Sequence, residues 1–513
     1  MSEAVPADRS GPAPVGLAIG PDDAVAIESA SASWSYGELG AAADALAVRL
    51  AALLPRHRTR RVGHVFDLSP VAVVAAHAVA RADAVLAVAH PRWGRDRLDA
   101  FVSGIEPDGV LARPGYEWPG RWEREALALP GFGPVDLLTR LDEGKRAASA
   151  PPGTDVMLLT SGTTGAPRIV CHSWARLRVN ARAANARGEA GRGSVVLATL
   201  AWAHVGGLAI VVRAGESGGR IVTGPGEFDA DRVAGALEHH GVTHISLVPV
   251  MLERLLDAGA APPGALVQVL VGGAATPPRL LDRALAAGWP VSLTYGLTEA
   301  GSQVATATPA DVEAGRSALD RPLDGVELEL RDEGEIFVRS DSLMLDVLGG
   351  AVLDDGAGSG SSRAGPRVDG DGWLATGDLA APDERGRLEV VARRSSRIVT
   401  GGTNVDPGEI EEVLRGHELV SDACVVALPD EKWGEVVAAV VEGAPGGGAG
   451  DSLARADAAA VVAELDRWCR ARFDAPRRPR RWVLVDDLPR TPTGKVDRAA
   501  ATAIATEAEE MDR

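Results

Sequence analysis

Met157-Leu158-Leu159-Thr160-Ser161-Gly162-Thr163-Thr164-Gly165-Ala166-Pro167-Arg168-Ile169-Val170 joins an apolar run to a cluster of hydroxyls, glycines and one cation. The run from Val156 to Leu159 predicts a strand, and the glycines after it let the backbone turn its N–H groups toward an anion. Thr160, Ser161, Thr163 and Thr164 add hydroxyl donors, while Arg168 adds a planar charged fork suited to phosphate oxygens. The spacing is neither G-x-x-x-x-G-K-[ST] nor G-x-G-x-x-G. A third kind of nucleotide loop and a polar surface turn are the two readings it leaves.

Downstream of this loop the chain alternates between helical and strand periodicity, which predicts parallel strands joined by helices. Asp229 is placed to cap a helix carrying Val233, Ala236 and Leu237, and Gly241 to end it before a strand at 245–248. A helix at 250–258, a strand at 266–271, a helix at 277–287 and a strand at 291–294 follow. Ligands of such sheets collect beyond the carboxyl ends of the strands. Gly272-Gly273-Ala274-Ala275-Thr276-Pro277 and Tyr295-Gly296-Leu297-Thr298-Glu299-Ala300 are placed at two such ends, and both combine small residues with polar groups.

The 513 residues exceed what one core normally organises, so at least two domains are expected. A net charge of −18 argues against a general binder of nucleic acid or anionic membrane. Cys171, Cys424 and Cys469 are widely spaced without metal-ligand pairing, which fits structural roles in a reducing cytoplasm. Residues 1–16 read as a frayed tail without an apolar signal core. The run from Val71 to His90 is broken by His77, Arg81 and Asp83, so it reads as a buried helix and strand rather than a membrane span, which needs about 18 or more apolar residues. Ser35 is a cap for a largely apolar helix over 41–54. The basic run Arg56 to Arg61 reads as a solvated loop, and 349–370 as a Gly- and Ser-rich surface insertion.

The remainder reads as a small α+β domain, with a helix at 407–414, strands at 423–427 and 436–441, a helix around 458–473, and Gly443 to Gly450 as a loop. A strand at 483–485 leads into Leu488-Pro489-Arg490-Thr491-Pro492-Thr493-Gly494-Lys495-Val496-Asp497-Arg498, where one lysine sits in a turn-rich segment.

Taken in order, Ser161 to Arg168, Tyr295 to Glu299, Thr376-Gly377-Asp378, Arg393 and the Gly494-Lys495 turn resemble the acyl-adenylate-forming superfamily of acyl-CoA ligases, adenylation domains and luciferases. The resemblance implies a large amino-terminal α/β domain with mostly parallel sheets over 17–392, a hinge at 393–398 and a small mobile α+β lid over 399–513. It also implies two steps: a carboxylate attacks the α-phosphate of ATP to give acyl-AMP and pyrophosphate, and a thiol then displaces AMP. ATP, Mg2+ and CoA are the implied cofactor and co-substrates, with a small carboxylic acid as the other partner. Nucleic acid and membrane insertion are not implied, and a homodimer stays open.

By the same resemblance, Thr160, Ser161, Gly162, Thr163, Thr164, Gly165 and Arg168 hold ATP phosphates, and Thr298 and Glu299 are catalytic with Lys495. Glu299 is the metal ligand, Thr298 contacts the α-phosphate, and Lys495 bridges the substrate carboxylate and α-phosphate oxygens. Gly273, Ala274, Ala275, Tyr295 and Gly296 frame the nucleotide, and Tyr295 equally suits the core. Asp378 and Arg393 meet the ribose; a capping aspartate and a surface ion pair are their structural alternatives. Thr400, Gly401 and Gly402 line a pantetheine tunnel. The hinge position is Ser396, where Asp or Lys is usual; Arg168 replaces the common lysine and Ala392 the common glycine.

Trp202 to Leu208 resembles the segment that gates the acyl site, which makes His204 a substrate contact or a core histidine. Because no matching Phe-Asp pair appears, an amino-acid substrate is disfavoured. The segment Ser292 to Thr306 looks most like the branch that ligates o-succinylbenzoate to CoA, with Ser302 and Gln303 suiting either hydrogen bonds to an aryl-keto acid or a cap for the next helix. Other aryl or fatty acids, a carrier-protein thiol, and a non-catalytic AMP sensor are the alternatives.

Overall fold

The computed structural model describes residues 17, 20–55, 59–141, 150–160, 168–224, 228–331, 334–349, 368–382, 387–393, 398–400, 403–405, 407–430, 433–443, 458–473, 475–491 and 496–511. In the sheet that carries most of the predicted units, the strands Val195–Ala198, His244–Leu247, Gln268–Gly272 and Val291–Leu297 run parallel side by side. Parallel neighbours need a crossover rather than a tight turn. The crossovers are the helices Ala230–His239, Pro249–Asp257 and Pro278–Ala286. Asp229 caps the first of them by accepting the Arg232 N–H at 2.9 Å, and Gly241 leaves it at φ +60°.

These helices bury Leu237, Leu252, Leu255 and Ala284 with Ile245, Leu247, Val269 and Val291 on one face of the sheet. Strand alternation turns Ser246 to the other face. There the helices Trp174–Arg187 and Val205–Ser217 pack, with Arg213 donating to Ser246 Oγ and Asn180 donating to the Gln303 carbonyl. Candidate site residues lie on that second face and at the carboxyl edge.

A second eight-stranded sheet has a parallel centre of Gly109–Ala112, Arg60–Val65, Ala84–Val88 and Val156–Thr160. Its margins are antiparallel: Val156–Thr160 returns as Arg168–His172, and Trp122–Leu129 pairs with Gly133–Arg140. The expectation of mostly parallel sheets thus fits the first sheet better than the second. As expected, Pro70–Arg81 is a buried helix and Ala84–Val88 a buried strand. Ser35 caps the helix Tyr36–Leu53 in a reciprocal capping box with Glu38.

A third, antiparallel sheet holds Val326–Arg331, Glu335–Ser340, Trp373–Pro382 and Leu388–Arg393. The last sheet pairs Val420–Asp430 with Gly434–Gly443, adds Arg481–Val485 in parallel, and is covered by the helices Pro407–Arg415, Ala458–Arg470 and Arg498–Met511. Apolar clusters lie on both its faces. This is the expected small α+β unit, with the helix Arg498–Met511 added.

Several local expectations are corrected. Arg61 is 2% exposed inside the strand Arg60–Val65, not part of a solvated loop: its guanidinium donates to the Ile105 carbonyl at 2.8 Å and its N–H to Asp108. Those two partners are distant in sequence, so a basic run alone does not reveal them. Tyr295, Gly296 and Leu297 belong to the strand Val291–Leu297 rather than to a turn after it, because pairing with Ser302–Ala307 extends the ladder. Leu388–Arg393 is a strand, and Ala392 within it is extended opposite Leu379. The tail 1–16, most of the 349–370 insertion and the 444–450 loop lie outside the described residues.

Candidate active site

Thr160 and Arg168 face each other as the last and first residues of an antiparallel pair, and the Thr160 hydroxyl donates to the Arg168 carbonyl at 3.3 Å. The loop residues between them, Ser161, Gly162, Thr163, Thr164 and Gly165 included, lie outside the described residues. So do Ser396, Gly401, Gly402, Gly494 and Lys495.

Within the Tyr295–Glu299 segment the backbone at one position admits only glycine. A Cβ on Gly296 would fall 2.0 Å from the Ser302 carbonyl oxygen, where the ladder shifts register. That close approach requires glycine whatever the nucleotide does. After Leu297 the chain makes a short 3-10 turn over Thr298–Ala300 and leaves through Gly301 at φ +80°. Ser302 then opens a strand, Ser302–Ala307, so its reading as a helix cap is overturned. Gln303 is buried, its Oε1 accepting from Thr306 Oγ1 at 2.7 Å.

The turn is anchored from two sides. Glu299 passes its carbonyl to the Met344 N–H at 2.7 Å. The Thr298 carbonyl accepts from Gly301 N–H at 3.1 Å and from His172 Nε2 at 2.7 Å. His172 is fully buried, and burial lowers its pKa to about 4. The Glu299 side chain is mostly buried and makes no hydrogen bond or ion pair among the described residues. An oxygen donor left open in this way fits a hard cation held by one carboxylate together with phosphate oxygens. Among the described residues no cluster of three or more His, Cys, Asp or Glu could supply a metal cage by itself.

Asp378 approaches from the third sheet. Gly377, at φ +73°, donates its N–H to Glu335 Oε1 at 3.1 Å, and the Thr376 hydroxyl donates to the Ile336 carbonyl at 2.8 Å. So held, the buried Asp378 accepts from the Tyr295 hydroxyl at 2.9 Å. Arg393 lies directly opposite Asp378 in the ladder. Tyr295, Asp378 and the Arg393 backbone are therefore brought together, although 83 residues separate Tyr295 from Asp378. Gly273, at φ +82°, Ala274 and Ala275 are exposed beyond the strand Gln268–Gly272.

His204 is half-buried at the start of the helix Val205–Ser217. A Cβ on Gly207 would fall 2.2 Å from the Ala201 carbonyl oxygen, so glycine lets this helix begin tightly against its loop. A narrow apolar crevice runs between this helix and Trp174–Arg187 toward Gly301, lined by Leu177, Ala181, Val205, Leu208 and Ala209. Thr400 is buried at the end of the strand Ile398–Thr400, facing Thr403 and Gly434 in the ladder.

Two residues here were not singled out in the sequence. His172 lies past the loop that drew attention, and only the fold shows it reaching Thr298. Arg213 left a signal: it is the one cation in the apolar helix Val205–Ser217. It is partly buried, donates to Ser246 Oγ at 3.1 Å, and has no acidic partner among the described residues. Desolvation lowers its pKa to about 10, so it stays charged. Its positive field also contributes to holding the His244 imidazole below its usual range, after burial as the main cause.

The three cysteines are free and buried, and burial pushes Cys171 and Cys424 up to about 12 and Cys469 to about 11. None is a poised nucleophile. Among the described residues no helix is long and apolar enough to cross a membrane.

The chain is 34% identical over 351 residues to the 2-succinylbenzoate–CoA ligase of Bacillus mycoides (strain KBAB4), covering 66% of this chain and 68% of that protein. It is 28% identical over 419 residues to the Staphylococcus epidermidis protein of the same name, covering 80% and 83%. Among solved structures it resembles o-succinylbenzoate CoA synthetase from Bacillus subtilis in complex with the acyl-adenylate intermediate, with a TM-score of 0.74, 24% identity, and coverage of 93% of this chain and 95% of that one. At that identity the structural likeness speaks for the fold. Residues 18–346 match the family model for AMP-binding enzymes and residues 409–495 the model for the AMP-binding enzyme C-terminal domain, and the chain belongs to the AMP-binding enzyme family.

Proposed function

We propose that the chain activates o-succinylbenzoate as its acyl-adenylate and transfers the acyl group to the thiol of CoA, a step of menaquinone biosynthesis carried out in the cytoplasm. The observation that carries the choice of acid is Arg213. An o-succinylbenzoate has two carboxylates, and only one is activated. The second must enter a partly dry pocket as an anion, which costs free energy unless a cation awaits it. Arg213 offers a charged fork with no acidic partner among the described residues.

In the first step an oxygen of the activated carboxylate forms a bond to the α-phosphorus while the bond to the β-phosphate oxygen breaks. Thr160, Arg168 and the residues between them hold the departing pyrophosphate, Thr298 meets the α-phosphate, and Lys495 bridges it to the incoming carboxylate. Asp378, oriented by Tyr295, accepts the ribose hydroxyls. Glu299 would hold Mg2+, which supplies neutralisation of phosphate charge. In the second step the thiol loses its proton and attacks the acyl carbon, AMP leaving with the electron pair of the broken C–O bond. Thr400, Gly401 and Gly402 line the path of the thiol, and rotation about Ser396 exchanges the two lid faces. Lys495 then serves the first step alone.

Pyrophosphate exchange and AMP release, followed with a panel of acids with and without CoA, test this reading. AMP-forming turnover confined to o-succinylbenzoate plus CoA is expected, and equal turnover with benzoate or octanoate overturns the choice of acid. Lys495→Ala is expected to abolish adenylate formation while sparing thioester formation from supplied acyl-adenylate; equal loss of both contradicts the rotating lid.

A further inference from the structure

His172 ends the strand that begins at Arg168. Its ring is fully buried, and its Nε2 lies 2.7 Å from the Thr298 carbonyl oxygen, 126 residues away in sequence. A carbonyl oxygen only accepts, so Nε2 carries the proton and Nδ1 is bare. That Nδ1 is buried and has no hydrogen-bond partner among the described residues. Burying an unpaired polar nitrogen is unfavourable, and an apolar side chain would avoid it. Keeping an imidazole here therefore makes physical sense through what its other nitrogen does.

What it does is hold a turn. The Thr298 carbonyl already closes Thr298–Ala300 through the Gly301 N–H, and the His172 N–H adds a second, long-range donor to the same oxygen. We propose that His172 is a positioning residue for adenylate formation: its N–H to Thr298 carbonyl bond sets the Thr298–Ala300 turn so that the Thr298 hydroxyl and the open Glu299 carboxylate are presented together to magnesium-bound ATP. This rests on the ATP-dependent reading above, and not on which acid is activated. His172 touches neither substrate nor metal.

The test compares His172→Phe, which keeps the ring and loses the donor, with His172→Gln, whose Nε2 reaches a similar distance. If His172→Phe does not fold, His172→Asn replaces it, since its shorter donor falls short of Thr298. ATP affinity is titrated by calorimetry across a Mg2+ series with no acid present. His172→Phe is expected to need about tenfold more Mg2+ for half-maximal tightening, and His172→Gln to recover most of that loss. Pyrophosphate exchange is expected to fall about 30-fold in His172→Phe, while thioester formation from supplied acyl-adenylate stays within about twofold, because the lost bond sets groups used in the first step only. An unchanged Mg2+ requirement in the donor-less variant overturns the proposal. So does a His172→Gln protein as impaired as His172→Phe with both half-reactions equally lowered, the mark of a merely structural histidine. If the wild type exchanges pyrophosphate with another acid in place of o-succinylbenzoate, the substrate reading fails while the Mg2+ series still decides about His172.

Discussion

Arg178, on the helix Trp174–Arg187, is buried against Glu216, whereas Arg213, on the same helix as Glu216, meets the Ser246 hydroxyl and no acid among the described residues. The two cations lie within one helix pair. Glu216 also accepts from Arg182 at 2.6 Å, so its charge is shared by two arginines of the neighbouring helix and is not offered to Arg213. Where an ion pair is complete, the charge serves packing; where a cation is desolvated without a counter-charge among the described residues, as Arg213 is, it suits the anionic partner proposed above.

Removing the shared acid gives the largest expected effect. Glu216→Gln removes the counter-charge that the buried Arg178 meets, and breaking such a pair costs about 3–5 kcal/mol. A denaturant titration is expected to show that loss with catalytic efficiency lowered alike for every acid. Arg213→Met is expected to do the reverse. Efficiency toward o-succinylbenzoate falls by about 2–4 kcal/mol in transition-state terms, roughly 30- to 1,000-fold, while the denaturation midpoint holds or rises because an uncompensated charge has gone. A drop in midpoint without a change in the preference for diacids over monoacids would place Arg213 with Arg178 as a packing residue.

A smaller effect is expected at the nucleotide side. Tyr295→Phe deletes the 2.9 Å bond that orients Asp378, at about 0.5–1.5 kcal/mol. It should raise the KM for ATP several-fold at most and leave the choice of acid unchanged. The subtlest consequence concerns His244, whose pKa is lowered by burial first and by Arg213 among the further causes. A histidine whose folded pKa lies below its unfolded value contributes stability that is present above the unfolded value near 6.5 and is lost as pH falls through the folded one. Arg213→Met is expected to move the His244 titration upward, seen by NMR, and to soften the acid-side loss of stability; Glu216→Gln should leave that titration in place.

Much of the local structure could be read before any coordinate. Asp229 and Ser35 are caps because a short polar side chain before an apolar periodic run satisfies orphan N–H groups within a few residues of itself. The strand at Val156 and the helix at Pro70 follow from runs of apolar residues whose partners need not be known. Thr298, Glu299, Asp378 and Lys495, the residues proposed to serve the nucleotide, stood out through their resemblance to family motifs. Reading failed where the deciding partner was remote. Arg61 looked like part of a solvated basic run, yet it donates to Ile105 across a strand and helix. Ser302 looked able to cap a helix, but cross-strand pairing with Leu297 draws it into a strand.

What the sequence determined by itself is the set of groups available to the site and the order in which short-range rules fold them, since caps, turns and periodicity act over a handful of residues. Only the tertiary structure decided that the Thr298 carbonyl lies against His172, that Tyr295 reaches Asp378, and that Glu216 is claimed by Arg178 and Arg182 while Arg213 is not. Those are outcomes of packing whole sheets and helices together. Hydrogen bonds and ion pairs weaken steeply with distance, and no rule of local spacing brings residues separated by scores of positions to within 3 Å.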